Sequence, residues 1–334
     1  MDIDAKLRPF YILQILKERT DEDHSLTTAQ LCDILIKEFG METHRTTIKS
    51  DVEMLQKAGI GIQATRSSQN HYSYIDREFD YAELKLLIDA VQSAKFITKS
   101  KSDRLVSKLV TLAGANKARE IKRNLVVDGR YKAENEHILF IIDVINDAIN
   151  QRKKIRFQMT EYNSKKEKVL HNGGEKYVFS PYSLVWDGDF YYVVGYSDKY
   201  CNVGSHRVDR IATVPELLDD AVVPPFAGFD INKYINTMFR MYNAPRKEVE
   251  LVCDNDVMDA VIDKFGVDVQ VYPFDQQHFR VSAEVAVGTV FFNWVFGFGG
   301  KVRITAPEDV KERYKDCVLN AMTAVNESNE ANPI

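Results

Sequence analysis

The run Ser183-Leu184-Val185-Trp186-Asp187-Gly188-Asp189-Phe190-Tyr191-Tyr192-Val193-Val194-Gly195-Tyr196 sets the reading of the whole chain. Two β-prone segments, 183–186 and 190–196, flank Asp187-Gly188, a pair suited to the positive φ angles of a tight hairpin turn. Lys154 to Met159 and Lys176 to Phe179 read as further strands upstream, and Val203 to Val208 as another downstream. These short, closely spaced strands predict a small, strongly bent sheet or partial barrel.

Before this sheet the period changes to that of helices. Lys6 to Glu18 places Ile12, Ile15 and Leu16 on one face, and Ser25-Leu26-Thr27 leads into a second helix carrying Leu31, Ile34, Leu35 and Phe39 before Gly40. Thr43 to Ala58 aligns Ile48, Val52 and Leu55, leaving His44, Arg45, Thr46, Thr47, Lys49 and Ser50 largely on other faces. Ile60 to Ile75 then alternates around a polar tip, Arg66-Ser67-Ser68-Gln69-Asn70, and reads as a hairpin. Three helices followed by a hairpin are the parts of a winged helix-turn-helix, whose third helix can enter the major groove. Tyr81 to about Val127 is again helical, with Leu84, Leu87, Ile88, Val91, Leu105, Leu109 and Leu112 in the pattern; a polar linker follows near 128–135 and a helix over 138–149.

The last third reads as strand 248–252, helix 255–265, strands 267–272 and 279–285, helix 288–296, strand 301–304 and helix 308–325. Such a βαββαβ order predicts a ferredoxin-like layer.

Composition restricts the function classes. Apolar residues make up 45% and charged residues 28%, values of folded globular protein, and 334 residues suffice for two or three domains. The start Met1-Asp2-Ile3-Asp4 lacks the features of a signal peptide, and no apolar run reaches bilayer length, so a cytoplasmic protein with no membrane partner is expected. Cys32, Cys201, Cys253 and Cys317 have neither CxxC nor metal spacing, so no metal or cofactor is expected. The net charge of −5 opposes wholesale nucleic-acid binding, because Lys and Arg must displace counterions. Charge is unevenly placed, however: Lys95 to Arg123 holds nine basic residues against Asp103 and Glu120. Such a run is commonly a solvated helix face.

Phe179-Ser180-Pro181-Tyr182-Ser183-Leu184-Val185, then Asp189 to Tyr196, then His206-Arg207-Val208-Asp209-Arg210-Ile211 resemble, in order and separation, the blocks of a WYL domain. Tyr191-Tyr192-Val193 stands where the name-giving Trp-Tyr-Leu is found. Ile155-Arg156-Phe157-Gln158 through Tyr162-Asn163 resembles the family's first strand, and Trp294 to Gly299 its C-terminal extension, WCX. Arg45 to Val52 resembles the recognition-helix segment of these regulators, with Lys49-Ser50 where a basic pair is often seen.

The resemblance implies an α+β multidomain chain: a winged helix-turn-helix over 1–78, a helical linker or dimerisation region over 79–134, and an Sm-like WYL domain over 135–222. A linker over 223–245 and the ferredoxin-like extension over 246–328 complete it. It further implies a homodimeric bacterial-type transcriptional regulator, not an enzyme. Its partners would be double-stranded operator DNA and a ligand, single-stranded nucleic acid or a nucleotide, sensed by the WYL domain.

The DNA-contacting candidates are Thr28, His44, Arg45, Thr46, Thr47, Lys49 and Ser50, with Arg66, Gln69 and Asn70 at the hairpin tip. Arg45 is the first base-reading candidate, and Thr46, Thr47 and Lys49 are phosphate positioners. The ligand candidates are Tyr162, Ser180, Tyr182, Tyr192, Ser205, His206, Arg207 and Arg210: guanidinium forks for phosphate, hydroxyls and imidazole for hydrogen bonds, and rings for stacking. Ion pairing with Asp209 or neighbouring carboxylates is the competing role for the two arginines, and strand packing for each tyrosine. A regular strand would send Arg207 and Arg210 to opposite faces.

Ser205, His206 and Asp209 have the residue types of a hydrolase triad but crowd one strand without a nucleophile elbow, and Gly297 to Lys301 lacks P-loop spacing. The alternative functional reading is a non-sequence-specific nucleic-acid-binding accessory or adaptor protein built from the same modules.

Overall fold

A computed structural model describes residues 3–67, 69–123 and 132–330. Outside them lie Met1-Asp2, Ser68 at the expected hairpin tip, 331–334, and 124–131, which take in the end of the expected helical segment and half of the expected linker near 128–135. The chain divides into two compact units, Met1–Glu136 and His137–Ile334.

The first unit begins with α1 (Ile3–Arg19), β1 (Leu26–Thr27), α2 (Thr28–Phe39) and α3 (Arg45–Lys57), followed by the hairpin β2 (Ile62–Arg66) and β3 (Asn70–Tyr74). Thr27 starts α2 with a capping box: its hydroxyl accepts from Gln30 N–H at 3.2 Å, and the Gln30 side chain accepts from Thr27 N–H at 2.8 Å. The three strands pair antiparallel in the order β1-β3-β2. Ile12, Ile15, Leu16, Leu31, Leu35, Ile48, Val52, Tyr72 and Tyr74 pack into one core. Arg8 on α1 bonds Asp51 on α3 at 2.5 Å in a largely buried ion pair.

Beyond the hairpin, α4 (Tyr81–Ser93), α5 (Lys99–Leu112) and α6 (Ala115–Arg123) enclose Leu84, Ile88, Val106, Val110 and Ile121. Leu87 and Leu112, placed in the apolar pattern by sequence, are exposed. The Asp80/Glu83 capping box fixes where α4 begins, and the face it turns inward runs through Leu84 and Ile88. Lys132 Nζ satisfies the carbonyls of Val91 and Ala94 and the hydroxyl of Ser102, and burial lowers its pKa.

The second unit opens with α7 (Ile138–Gln151), then β4 (Lys153–Gln158), the small hairpin β5 (Thr160–Tyr162) and β6 (Lys168–Leu170), β7 (Lys176–Asp187), β8 (Phe190–Ser197), β9 (Asn202–Arg207) and β10 (Glu216–Ala221). The five longer strands form an antiparallel sheet in the order β10-β4-β7-β8-β9. The two strands expected over 176–179 and 183–186 are a single strand that bends at a register shift between Pro181 and Ser183. Proline cannot donate to the ladder, so a bulge is where a central strand accommodates it. Gly195 faces the bend; a Cβ there would lie 2.1 Å from the Ser180 carbonyl oxygen, so only glycine fits. The hairpin turn of β7–β8 passes through Gly188 at φ 56°.

After α8 (Ile231–Thr237) come β11 (Arg246–Asp254), α9 (Met258–Phe265), β12 (Gln270–Pro273), β13 (His278–Ala286), α10 (Thr289–Phe296), β14 (Val302–Ala306) and α11 (Glu308–Glu330). The strands order β12-β13-β11-β14, so the first strand of this segment sits between the third and the last. Val249, Leu251, Val281, Phe291, Val295 and Val310 are its buried centre, with Trp294 packed at the rim against Phe239, Phe265 and Phe298. Among the described residues no helix is long and apolar enough to cross a membrane.

Candidate nucleic-acid and ligand interfaces

The first turns of α3 and the β2–β3 hairpin border an open cleft of about 290 Å³ lined by Thr28, Arg45, Thr46, Lys49, Arg66, Gln69 and Asn70. Seven of the ten sequence-predicted DNA contacts thus share one concavity. His44, in extended conformation at the start of α3 and without a side-chain cap bond, Thr47 and Ser50 lie outside its lining. Thr28 is buried, so it contributes to the floor. Arg45, Thr46, Lys49 and Arg66 are exposed. Among the described residues neither Arg45 nor Arg66 forms an ion pair, whereas Lys49 has a loose, solvated one with Glu53 at 3.6 Å. The cleft therefore presents guanidinium, hydroxyl and amide groups together, the donors that duplex phosphates and base edges accept from.

In the basic stretch 95–123, several charges are engaged locally. Lys117 pairs with Asp23 at 2.9 Å, which raises the lysine's pKa, and Arg119 donates to Asn116.

The eight ligand candidates are dispersed in the second unit rather than gathered on one surface. Ser180 is fully buried, and its Oγ accepts from Val223 N–H at 3.0 Å. Ser205 is buried too, its hydroxyl donating to the Met241 carbonyl at 2.9 Å while Asn243 bonds its main-chain N–H and C=O. Tyr192 belongs to the core with Val194, Tyr234 and Met238. These three candidates are structural, because burial removes their polar or stacking faces from solvent.

Arg207 makes a two-point bond to Asp209, 2.7 and 3.1 Å, and lies over the Phe190 ring. The strand ends at Arg207; 208–210 form one turn of 3-10 helix, so strand alternation does not govern Arg210. Arg210 instead lies over the Tyr162 ring at 5.2 Å. With Ser205 bonded to Met241 and Asp209 to Arg207, two of the three residues of a nominal triad are engaged elsewhere.

Tyr182 and His206 face a different feature, a cavity of about 950 Å³ along the outer edge of β9. Tyr182 donates to the Val223 carbonyl at 2.9 Å, pinning the 223–226 segment that forms one wall. His206 is packed among Phe157, Tyr177 and Phe179, ring centroids 5.1–5.8 Å away. Burial, reinforced by the charge of His171, pushes its pKa down to about 4, so the imidazole is neutral near pH 7.

Sequence reasoning missed most of this lining: Tyr196, Ser197, Tyr200, Asn202, Phe226, Tyr234, Asn243 and Arg246. Tyr234 donates to the Val203 carbonyl at 3.3 Å, and burial pushes its phenol up to about 12. Half of these residues come from segments downstream of the sheet, and no periodicity signals such a convergence.

The WYL domain family model matches residues 141–215, so a WYL domain is present from α7 to the turn before β10. Among solved structures the chain is similar to proteasome accessory factor B/C (PafBC) of Arthrobacter aurescens, with 16% identity, a TM-score of 0.31, and coverage of 92% of this chain and 46% of that one. It is also similar to a CRISPR Cas-related protein, with 14% identity, a TM-score of 0.37, and coverage of 97% and 84%. The chain spans about half the length of the PafBC chain. No curated protein sequence matches it.

Proposed function

We propose that the protein is a ligand-responsive, homodimeric DNA-binding transcriptional regulator. In this reading α1–α3 and β1–β3 are a winged helix-turn-helix, and the WYL domain senses a nucleic acid or nucleotide-like ligand. The β11–α11 segment is a ferredoxin-like extension, a reading supported by its strand order.

The observation that carries DNA binding is the shared cleft of Arg45, Thr46, Lys49, Arg66, Gln69 and Asn70. A helix start and a hairpin tip supply these residues together, as groove and backbone contacts in a winged helix require. A net charge of −5 makes local placement of cations, doubled in a dimer, more important than overall charge.

Selection from a random duplex pool with the full-length chain, repeated at several salt concentrations, tests the reading. Enrichment of a defined site with salt-sensitive affinity supports it. Equal binding to all sequences supports the accessory-protein alternative, which the acidic overall balance does not favour. Absence of duplex binding removes the regulator. If a WYL ligand alters operator affinity at equilibrium, operator DNA must alter ligand affinity by the same factor.

A further inference from the structure

We propose that the cavity along β9 is a small-molecule site for a flat aromatic or conjugated monoanion, a carboxylate being the fitting class. The site is distinct from Arg207, Arg210 and Tyr162, where a nucleotide phosphate would find guanidinium groups, and the proposal does not depend on DNA binding.

At about 950 Å³ the cavity has the size of a pocket for a drug-sized ligand. Tyr182, Tyr196, Tyr200 and Phe226 contribute aromatic rings to its walls, with the buried Tyr234 behind them. Such rings accept a flat, apolar body by offset or edge-on packing.

Charge defines the rest of the ligand. Among the described residues Arg246 is the single Lys or Arg in the lining, and no Asp or Glu is present there. Its guanidinium lies over the Tyr234 ring, 4.6 Å from the centroid, and it forms no ion pair among the described residues. One cation on an apolar wall balances one negative charge; a second anionic group would be desolvated without a partner. An oligonucleotide, which is held by several Lys and Arg at once, does not match this lining.

A polar contact is also waiting. Ser197 is 2% exposed and lines the cavity, yet its hydroxyl has no hydrogen-bond partner among the described residues. Native structures leave few buried hydroxyls unsatisfied, and rotation of this side chain toward the cavity would give it a partner in a bound ligand. The neutral His206 imidazole adds a second hydrogen-bonding edge without adding charge.

The test is titration of the full-length chain with anilinonaphthalene sulfonate, an aromatic monoanion whose fluorescence rises in apolar sites, and with uncharged anilinonaphthalene. One saturable sulfonate site per chain is expected. Arg246→Met, at an exposed position, should weaken sulfonate binding about tenfold or more while changing the uncharged analogue by no more than about twofold. Asn202→Trp, which fills the cavity from an exposed strand position, should abolish both, and naphthoate should displace the dye at lower concentration than a short oligothymidine does. Absence of a saturable site, insensitivity to both substitutions, or tighter displacement by oligothymidine would overturn the assignment.

Discussion

Arg207 stacks on Phe190, its guanidinium carbon 3.3 Å from the ring centroid, while the edge of the same group holds Asp209 in a two-point bond. The stack and the fork use different surfaces of one planar cation, which a lysine cannot reproduce. Asp209 is nearly buried. Arg207→Ala, which strands that carboxylate, should destabilise the unit by roughly 2–3 kcal/mol, and Arg207→Lys should recover little of it. Urea midpoints give the comparison; wild-type stability in Arg207→Ala would mean that the arginine is free for another task.

At the cleft, Arg45→Ala should relax base preference at one position, with about 1–3 kcal/mol of lost discrimination. Lys49→Ala should instead weaken all duplexes alike and lower the salt slope by about one. Competition binding with single-base operator variants separates the two. Unchanged selectivity in Arg45→Ala would remove it from base reading.

Arg8 and Asp51 tie α1 to α3 and therefore set the platform on which Arg45 and Lys49 stand. Removing either partner alone should cost about 3 kcal/mol, while replacing both by well-packed apolar residues should stay within about 1 kcal/mol of wild type. A thermodynamic cycle on the single and double variants reads this directly. Equal losses in all three would contradict the coupling.

His206 gives a pH dependence with a defined sign. The unfolded imidazole takes up a proton near pH 6.5, the folded one only near pH 4. Between these values the unfolded chain binds more protons, so the stability held above pH 6.5 is lost as pH falls toward 4. The gap corresponds to a loss on the order of 3 kcal/mol. In His206→Phe, which keeps the ring packing with Phe157 and Phe179, the stability curve should be flatter across that window. Parallel curves for the two proteins would show that carboxylates alone govern acid unfolding.

Helix and strand order was largely legible, because burial of one helix face or alternate strand residues leaves a periodic trace. Ile12, Ile15 and Leu16 are core residues by that logic and by structure. The continuity of β7 was not legible: Pro181 reads as a break, and only its opposition to Gly195 reveals a bend. The edge strand β10 escaped notice for lack of a buried apolar row. On and around α3 the residues picked out by type share one cleft, whereas those picked out in the sheet are dispersed. Ser180, Tyr192 and Ser205 carry useful chemistry but are engaged inside, and Asn243 and Arg246 reach Ser205 and Tyr234 from positions distant in sequence.

The bonds from Tyr234 to Val203 and from Asn243 to both main-chain groups of Ser205 have a consequence for solubility. β9 is the last strand of its sheet, and an open last strand is a template for pairing with another chain. Here two side chains occupy the positions that a neighbouring backbone would take. The border is blunted by Tyr234, carried on α8, and by Asn243, so a second copy cannot extend this sheet from β9. Asn243→Val would expose that template, turning a ligand wall into an aggregation edge.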